Sequence, residues 1–365
     1  MKSKILIIGS TGKLGTSLIN YCIKEELSIF AITGYTNLKK LKSQSKKLNT
    51  RHFFNLSEIS QKNKFIKFLE RYSFKVVYFL DYGSYSLSYM NIILSNNNNT
   101  YIAIANKEMI IAGGRFLINK IYKTSNYLIP LDSEHFSLKN SNFNNKDIKK
   151  IYITASGGPF YFKKKTNLEH VSIKSVLKHP KWDMGFNNSI DSSNFINKIL
   201  EMFELSSIYN IELNKIDFLV SKEAFVHSII TYKDNTISIN CFDNNMLIPL
   251  IKPLTTVLNS KNLKINNLKI LNQKNFKLEQ FRDTRFKIIS YLNKFKKLNH
   301  SQQIKLMILN NKAHKLYLNN AIEYSEIIEF IIKNLFIEKK IVKLKSFNDI
   351  LRYIKILELK YEINF

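Results

Sequence analysis

Short apolar runs alternate with amphipathic stretches through the first third of the chain. The sequence opens with "KILII", a glycine turn "GSTGKLG" and then "TSLINYCIKEE", which has the spacing of a helix that buries one face. The apolar runs that follow are "SIFAITG", "KVVYFL" (75–80), "YIAIA" (101–105) and "NYLIPL" (126–131). Between them lie helical patterns such as "SEISQKNKFIKFLERY" and "GGRFLINKIYKTS". Strands that alternate with helices predict an α/β fold whose N-terminal part is a Rossmann-like, doubly wound parallel sheet.

The pattern changes near residue 150. "KIYITASGGPF" predicts another strand, and "SSNFINKILEMFELSSIY" has a good helical period. From about Arg282 the apolar spacing is helical to the end of the chain, and no Gly or Pro after Pro253 interrupts it. The expected parts are an N-terminal α/β domain (1–131), a central α/β domain (132–255), a linker (256–281) and a C-terminal helical domain (282–365).

The composition narrows the class of protein. The 56 Lys and Arg residues against 28 Asp and Glu give a formal charge of +28, but the lysines are spread along the chain without a patterned cluster. We therefore do not expect a nucleic-acid partner. Cys22 and Cys241 are too far apart in sequence to suggest a disulfide framework or thiolate zinc site, which fits a reducing cytoplasm. Neither a membrane-spanning apolar run nor room for a signal peptide before Ile5 is visible in the chain as given.

The glycine turn is a candidate nucleotide-binding element. Gly9, Gly12 and Gly15 stand three apart between a strand and a helix, where glycine lets the backbone approach a pyrophosphate. A tight strand-to-helix turn without a ligand is the simpler alternative. No acidic residue ends the second strand; the residues there are Gly34, Thr36, Asn37, Lys39 and Lys40, which suit a 2′-phosphate and favour NADP over NAD.

Two carboxylates follow the run that ends at Leu131. In "PLDSEH", Asp132 and Glu134 are two apart, and on a strand such residues point to the same side. Together with Glu201 in "NKILE" they would give Mg²⁺ or Mn²⁺ the oxygen ligands that hard cations prefer. By composition alone, ordinary surface or capping acids are the favoured interpretation.

A set of motifs in fixed order changes that balance. The motifs are "GSTGKLG", "ANKE" (105–108), "PLDSEH" (130–135), "SGGPF" (156–160), "HPKWDMG" (179–185), "DSSNFINKILE" (191–201) and "FVHS" (225–228). In this order the chain closely resembles the 1-deoxy-D-xylulose 5-phosphate reductoisomerase family, up to about residue 255. The resemblance implies an NADPH-binding domain, a catalytic and dimerisation domain, and reduction of 1-deoxy-D-xylulose 5-phosphate to 2-C-methyl-D-erythritol 4-phosphate for isoprenoid precursors.

The resemblance also implies roles for individual residues. Asp132, Glu134 and Glu201 would bind one Mn²⁺ or Mg²⁺, with Lys107 and Glu134 next to the reacting oxygens. Cofactor contacts would come from Gly9, Ser10, Thr11, Gly12, Lys13, Leu14, Gly34, Asn37, Asn106, Glu108 and Gly185. Substrate contacts would come from Lys107, Ser133, Glu134, Ser156, His179, Trp182, Ser192, Asn197, Lys198, Glu201 and His227. The segment 159–184 would be a lid that closes over the substrate. A homodimer is the implied assembly.

Several alternatives remain at this point. Ser192 could cap a helix, and Lys198 with Glu201 could be a surface ion pair. The family usually has a substrate-contacting Ser where this chain has Ala224, so we expect weaker substrate binding. Asp81 replaces part of a neutral cofactor loop, and a carboxylate near a pyrophosphate is unfavourable. A degenerate non-catalytic relative and another NADP-linked dehydrogenase are the rival functions.

Overall fold

The chain forms two compact units, each with its own sheet. The computed structural model describes residues 4–141, 144–178, 185–258, 275–337 and 342–362. The first unit comprises Met1–Ile110, Arg115–Lys139 and Asp243–Leu271, and the second comprises Ile111–Gly114, Asn140–Phe242 and Asn272–Phe365. Among the described residues, no helix has the length and apolar character needed to cross a membrane.

The first unit carries a six-stranded parallel sheet in the order β3-β2-β1-β4-β5-β6. Its strands are β1 (Ile5–Ile8), β2 (Ala31–Gly34), β3 (His52–Asn55), β4 (Val76–Phe79), β5 (Tyr101–Ile104) and β6 (Tyr127–Pro130). Its helices are α1 (Lys13–Lys24), α2 (Leu38–Lys47), α3 (Ile59–Arg71), α4 (Ser86–Asn96), α5 (Lys107–Lys123), which also crosses into the second unit, and α6 (Ser133–Leu138). The order is that of a dinucleotide-binding fold, so the predicted fold class is confirmed.

Apolar strands explain the core of this unit. All four residues of β1 and of β4 are buried, as expected for central parallel strands with helices on both faces. Helix α10 (Leu247–Leu258) adds Leu250 and Leu254 to the same core, and Tyr78 donates a hydrogen bond to the Leu250 carbonyl at 2.8 Å. These contacts make α10 part of the first unit, although most of it falls within the predicted central domain (132–255). The compact units therefore divide the chain differently from the predicted domains.

The second unit carries a mixed five-stranded sheet in the order β10-β9-β7-β8-β11. Its strands are β7 (Ile148–Ala155), β8 (Ile216–Val220), β9 (Val226–Tyr232), β10 (Ile237–Cys241) and β11 (Glu279–Gln280). Only the β7–β8 pair is parallel, and β9, β10 and β11 pair antiparallel to their neighbours. Among the described residues, a 3₁₀ helix at Leu213–Lys215 directly precedes β8, and another at Lys287–Tyr291 follows β11.

The helices of the second unit confirm most of the predicted helical stretches. They are α7 (Ile173–Val176), α8 (Phe186–Ser193), α9 (Ile196–Tyr209), α11 (Leu292–Phe295), α12 (His300–Leu318), α13 (Glu326–Ile337) and α14 (Phe347–Lys360). The stretch 192–209 does not form one helix, because Phe195 adopts a left-handed φ of 68° and separates α8 from α9. The residues after Arg282 begin with a 3₁₀ turn and then continue as α-helices.

Candidate active site

The glycine turn lies at the point where the order of strands in the first sheet reverses, between β1 and β4. Gly9 directly follows β1 with a φ of 86°, and a Cβ atom there would lie 2.5 Å from the Asp81 backbone nitrogen. Only glycine fits both the angle and the space. Gly12 is the N-cap of α1 and has no side chain to satisfy the first-turn N–H groups. These groups are suited to an anion such as a pyrophosphate.

The other predicted cofactor residues of this region lie in the turn itself or at and after the end of β2, and they differ in how far their side chains could contact a ligand. Ser10 is fully buried, and its Oγ lies 2.8 Å from Gln44 Oε1 while its N–H donates to the Thr33 carbonyl. Gly34 ends β2, where an added Cβ would lie 2.9 Å from the Thr11 methyl group. Asn37 caps α2 by accepting a hydrogen bond from Lys40 N at 2.9 Å. Ser10 therefore supports the turn from inside the fold.

Asp81 lies two residues after β4, next to the glycine turn, and its carboxylate accepts hydrogen bonds from two side chains of the protein. Asn106 Nδ2 donates to one oxygen at 3.2 Å, and Ser86 Oγ donates to the other. Burial raises the pKa of Asp81, and these two hydrogen bonds oppose the rise. Asn106 also caps α5, because its Oδ1 accepts from Met109 N at 2.9 Å. Sequence reasoning missed this network, although an Asn before a predicted helix is an N-cap signal.

Lys107 and Glu108 begin α5 directly after that cap. Both residues are buried, and Lys107 Nζ lies 2.5 Å from Asp132 Oδ2. A lysine held in this way is a charged donor at the carboxyl end of the sheet, because β5 and β6 end two residues before Asn106 and Asp132. The structure thus brings together two residues that are 25 positions apart, Lys107, which was predicted to act on the substrate, and Asp132, which was predicted to bind the metal ion.

Asp132 and Glu134 do not lie on a strand, so the geometric argument made from the sequence was wrong. Strand β6 ends at Pro130, Asp132 is the N-cap of α6, and its Oδ1 accepts from Glu134 N at 3.2 Å. The capping turn still holds carboxylate oxygens of the two residues within 4.8 Å of each other. Ser133 Oγ donates to Glu134 Oε2 at 2.5 Å. Asp132 and Glu134 are both partly buried, and carboxylate oxygens within 4.8 Å of each other are the ligands that a hard divalent cation prefers.

The second unit gathers the residues predicted to bind phosphate. Ser156 follows β7, Ser192 lies in the last turn of α8, and Asn197 and Lys198 lie in the first turn of α9. Gly158, with a φ of 57°, approaches α8 so closely that a Cβ atom would lie 2.7 Å from the Ser192 carbonyl oxygen. The turn after Ser156 therefore packs directly on the end of α8. Ser192 is inside α8, which excludes the alternative that it caps the following helix.

Helix α9 carries a buried group of charged and polar side chains. Lys198 and Glu201 are 6% and 2% exposed, so they are not a surface ion pair. Lys198 Nζ pairs with Glu201 Oε2, and Asn197 Nδ2 donates to Glu201 Oε1. A carboxylate this deeply buried needs a cation nearby, since an isolated ion in a protein interior costs several kcal/mol. The Glu201 carboxylate pairs with the Lys198 ammonium, and it is chemically suited to bind a metal ion too.

Of the remaining residues named from the sequence, three lie in the described part of the second unit and two fall outside the described residues. His227 is buried on β9 and stacks on Phe242, with ring centroids 4.0 Å apart. Ala224 lies in the turn before β9 with a left-handed φ of 53°. Gly185 is the N-cap of α8. His179 and Trp182, both predicted to contact substrate, fall outside the described residues.

Comparison with known proteins identifies the family. The sequence profile of the 1-deoxy-D-xylulose 5-phosphate reductoisomerase C-terminal domain matches residues 128–209. The 1-deoxy-D-xylulose 5-phosphate reductoisomerase of Pelagibacter ubique is 32% identical over 354 residues, which is 90% of each chain. The chain belongs to the 1-deoxy-D-xylulose 5-phosphate reductoisomerase family. The reductoisomerase of Clostridium kluyveri is 27% identical over 89% of each chain.

Solved reductoisomerase structures share the fold. The enzyme from Zymomonas mobilis, determined with NADPH, has a TM-score of 0.80 and is 20% identical, covering 99% of this chain and 98% of that one. A reductoisomerase determined with NADPH, fosmidomycin and magnesium has a TM-score of 0.84 and is 21% identical, with the same coverage. The match extends through the C-terminal helices, where the resemblance of sequence motifs ends.

Proposed function

We propose that this chain catalyses the NADPH- and divalent-metal-dependent isomerisation and reduction of 1-deoxy-D-xylulose 5-phosphate to 2-C-methyl-D-erythritol 4-phosphate, a step of isoprenoid precursor synthesis. The observation that carries the proposal is the 32% identity to a reductoisomerase over nine tenths of both chains, in a chain that retains Asp132, Glu134 and Glu201. The magnesium and NADPH named for structural relatives support the two cofactors.

The proposed metal ligands are Asp132, Glu134 and Glu201. They fit Mn²⁺ or Mg²⁺ because all three provide carboxylate oxygens, and because Asp132 and Glu201 already stabilise a positive charge, the ammonium of Lys107 and that of Lys198, in a place that an ion would compete for. When bound, such an ion would polarise the substrate carbonyl as a Lewis acid. Lys107 would donate a hydrogen bond to a substrate oxygen, and Glu134 would take up or return a proton at the reacting oxygens.

The proposed phosphate pocket uses Ser156, Ser192, Asn197 and Lys198. A phosphate monoester needs several donors and preferably one cation. Two hydroxyls, an amide and an ammonium provide that set. The close packing of the Gly158 turn on the Ser192 carbonyl supports this grouping, since Ser156 and Ser192 come from different elements. Ser133 and His227, with His179 and Trp182 from the predicted lid, complete the proposed substrate contacts.

The proposed NADPH site lies along the carboxyl ends of β1 and β2. The open first turn of α1 suits the pyrophosphate, and Asn37 with the neighbouring Lys39 and Lys40 suits the 2′-phosphate. Asn106, Glu108 and Gly185 are the further proposed contacts to the cofactor. A homodimer and a cytoplasmic location complete the proposal; the homodimer rests on the family resemblance, and the location also on the absence of a disulfide between Cys22 and Cys241.

A turnover assay with product identification tests the function. Purified protein is incubated with 1-deoxy-D-xylulose 5-phosphate, NADPH and Mn²⁺, and the product is identified by phosphorus and carbon NMR. We expect stoichiometric oxidation of NADPH and formation of the branched polyol phosphate. Absence of that product under conditions in which an amino-acid semialdehyde is reduced would identify the rival dehydrogenase function. Absence of both reactions with intact NADPH binding would identify a non-catalytic relative.

A further inference from the structure

Helix α8 is held by a buried polar cluster that the proposed reaction does not use. The cluster consists of Asp191 on α8 with Asn310 and His314 on α12, which are 4%, 1% and 1% exposed. Asn310 Nδ2 donates to Asp191 Oδ1 at 2.8 Å, and His314 Nε2 lies 2.8 Å from the same oxygen. The second ring nitrogen of His314 lies 3.2 Å from Asn187 Oδ1, also on α8. One face of α12 therefore engages α8 at two successive turns.

The position of the cluster is significant because Asp191 directly precedes Ser192. A buried carboxylate at this position would repel a phosphate dianion in the proposed pocket unless its charge were balanced. Both ring nitrogens of His314 lie close to oxygen atoms of α8, Nε2 at 2.8 Å from Asp191 Oδ1 as an ion-pair contact and Nδ1 at 3.2 Å from Asn187 Oδ1. His314 can thus offset the Asp191 charge, and Asn310 fixes the carboxylate orientation.

Small movements of α8 would reach the pocket directly. The Ser192 carbonyl is packed against Gly158 with no room for a methyl group between them. A helix that is fixed by α12 on one side and by the Gly158 turn on the other presents Ser192 in a single position. Preorganised donors bind an anion more tightly than donors that must be ordered on binding.

We propose that Asp191, Asn310 and His314 form a positioning cluster that orients Ser192 toward the substrate phosphate and cancels the negative charge beside it. This inference rests on the proposed function, because it assumes that Ser192 binds the phosphate. The cluster acts through Ser192 and does not touch substrate. It gives helix α12, which lies outside the part of the chain that carries the motifs, a defined role in substrate affinity.

A charge-balance experiment tests the cluster. His314→Gln keeps an amide donor for Asp191 but removes the ring charge, so we expect KM for the sugar phosphate to rise about tenfold (about 1.4 kcal/mol). The value of kcat should stay within about twofold, since the reacting groups are unchanged. The double variant Asp191→Asn with His314→Gln removes both charges, and its KM should return to within about threefold of the starting protein. A matched control is Lys312→Gln, which removes one charge from the same helix at a side chain 3.7 Å from Glu362.

The outcomes separate the cluster from the function. A KM that is unchanged in His314→Gln, or a double variant as impaired as the single one, overturns the charge-balance inference. If His314→Gln does not fold by circular dichroism, Asn310→Ala takes its place with the same expected direction. The dissociation constant of inorganic phosphate is measured across the same set and should change in parallel. Absence of turnover in the unsubstituted protein refutes the proposed function, and the phosphate measurements then decide the cluster alone.

Discussion

Arg285 is predicted to fix the base of the proposed lid. Its guanidinium donates to four backbone carbonyls of the segment 160–166, at 3.0 Å to Lys163, 3.3 Å to Thr166 and 3.3 Å to both Phe160 and Tyr161. The same group binds Asp283 through Nε at 3.1 Å and Nη2 at 2.8 Å. We expect Arg285→Lys to release this segment, because an ammonium keeps the charge but lacks the planar fork.

The magnitude follows from the contacts that are lost. Nη1 donates to two of the carbonyls and Nη2 to the other two, and we count each pair as one net hydrogen bond to a charged group. At about 1.5 kcal/mol for each, the loss in unfolding free energy is about 3 kcal/mol. Lys164→Gln is the matched control, since Lys164 Nζ binds the same Asp283 carboxylate at 2.8 Å but its side chain is 61% exposed. An exposed pair contributes less than about 1 kcal/mol.

Urea denaturation measures the unfolding free energy of the two variants. Hydrogen exchange of the backbone amides in 160–166 shows whether the stability is lost in that segment. Arg285→Lys should lose about 3 kcal/mol and exchange faster in that segment, whereas Lys164→Gln should change neither by much. Equal losses in the two variants, or unchanged exchange in Arg285→Lys, would refute the reasoning, since the guanidinium would then contribute no more than its charge.

Acid adds an independent check on the same group. The hydrogen bonds from Arg285, with a further one from Lys164, hold the pKa of Asp283 well below its ordinary value of 3.8. A carboxylate with a lowered folded-state pKa contributes stability above the unfolded pKa and loses it as pH falls further. The protein should therefore lose stability below about pH 4 more steeply than an Asp283→Asn variant. Parallel acid titrations of the two proteins would contradict this account.

Three further predictions concern the proposed catalytic and phosphate groups. Lys107→Met should lower kcat at least about a hundredfold. It should also strengthen Mn²⁺ binding in titration calorimetry, because the ammonium that lies 2.5 Å from Asp132 no longer competes with the ion for that carboxylate. Weaker Mn²⁺ binding would contradict this competition. Ala224→Ser should lower KM for the sugar phosphate by about tenfold if the hydroxyl reaches the phosphate, and steady-state kinetics would show an unchanged KM if it does not. Gly158→Ala should lower the unfolding free energy by about 1–2 kcal/mol and raise KM, because the methyl group would lie 2.7 Å from the Ser192 carbonyl oxygen; a normal KM would separate that turn from the phosphate pocket.

The parallel sheet was predictable because its strands are buried on both faces. Strands such as β1 and β4 then consist of continuous apolar residues, and the helices between them keep the helical period. The turn at Asp132 was misread for a local reason. The apolar run suggests that the strand continues past Leu131, whereas an Asp followed by an acidic first turn is the signature of a helix N-cap.

Other features have no local signature. Asn310 and Asp191 are 119 positions apart, and Arg285 contacts carbonyls 119 to 125 positions away, so no periodicity connects them. Phe195 adopts a left-handed φ that its residue type disfavours, because aromatic packing against Phe218 and Phe281 fixes it in place. The site residues themselves came from ordered motifs, since single acids and serines are too common to identify a site.

The most direct test of the central claim is the metal dependence of turnover. NADPH oxidation with 1-deoxy-D-xylulose 5-phosphate is measured after chelation, after Mn²⁺ is restored, and in a Glu201→Gln variant whose folding is confirmed. Glu201→Gln keeps the size of the side chain and removes the charge that is proposed to bind the cation. The account predicts that chelation abolishes turnover, that Mn²⁺ restores it, and that Glu201→Gln stays nearly inactive and binds Mn²⁺ more weakly. Turnover that survives chelation, or a Glu201→Gln variant with the full rate, would contradict it.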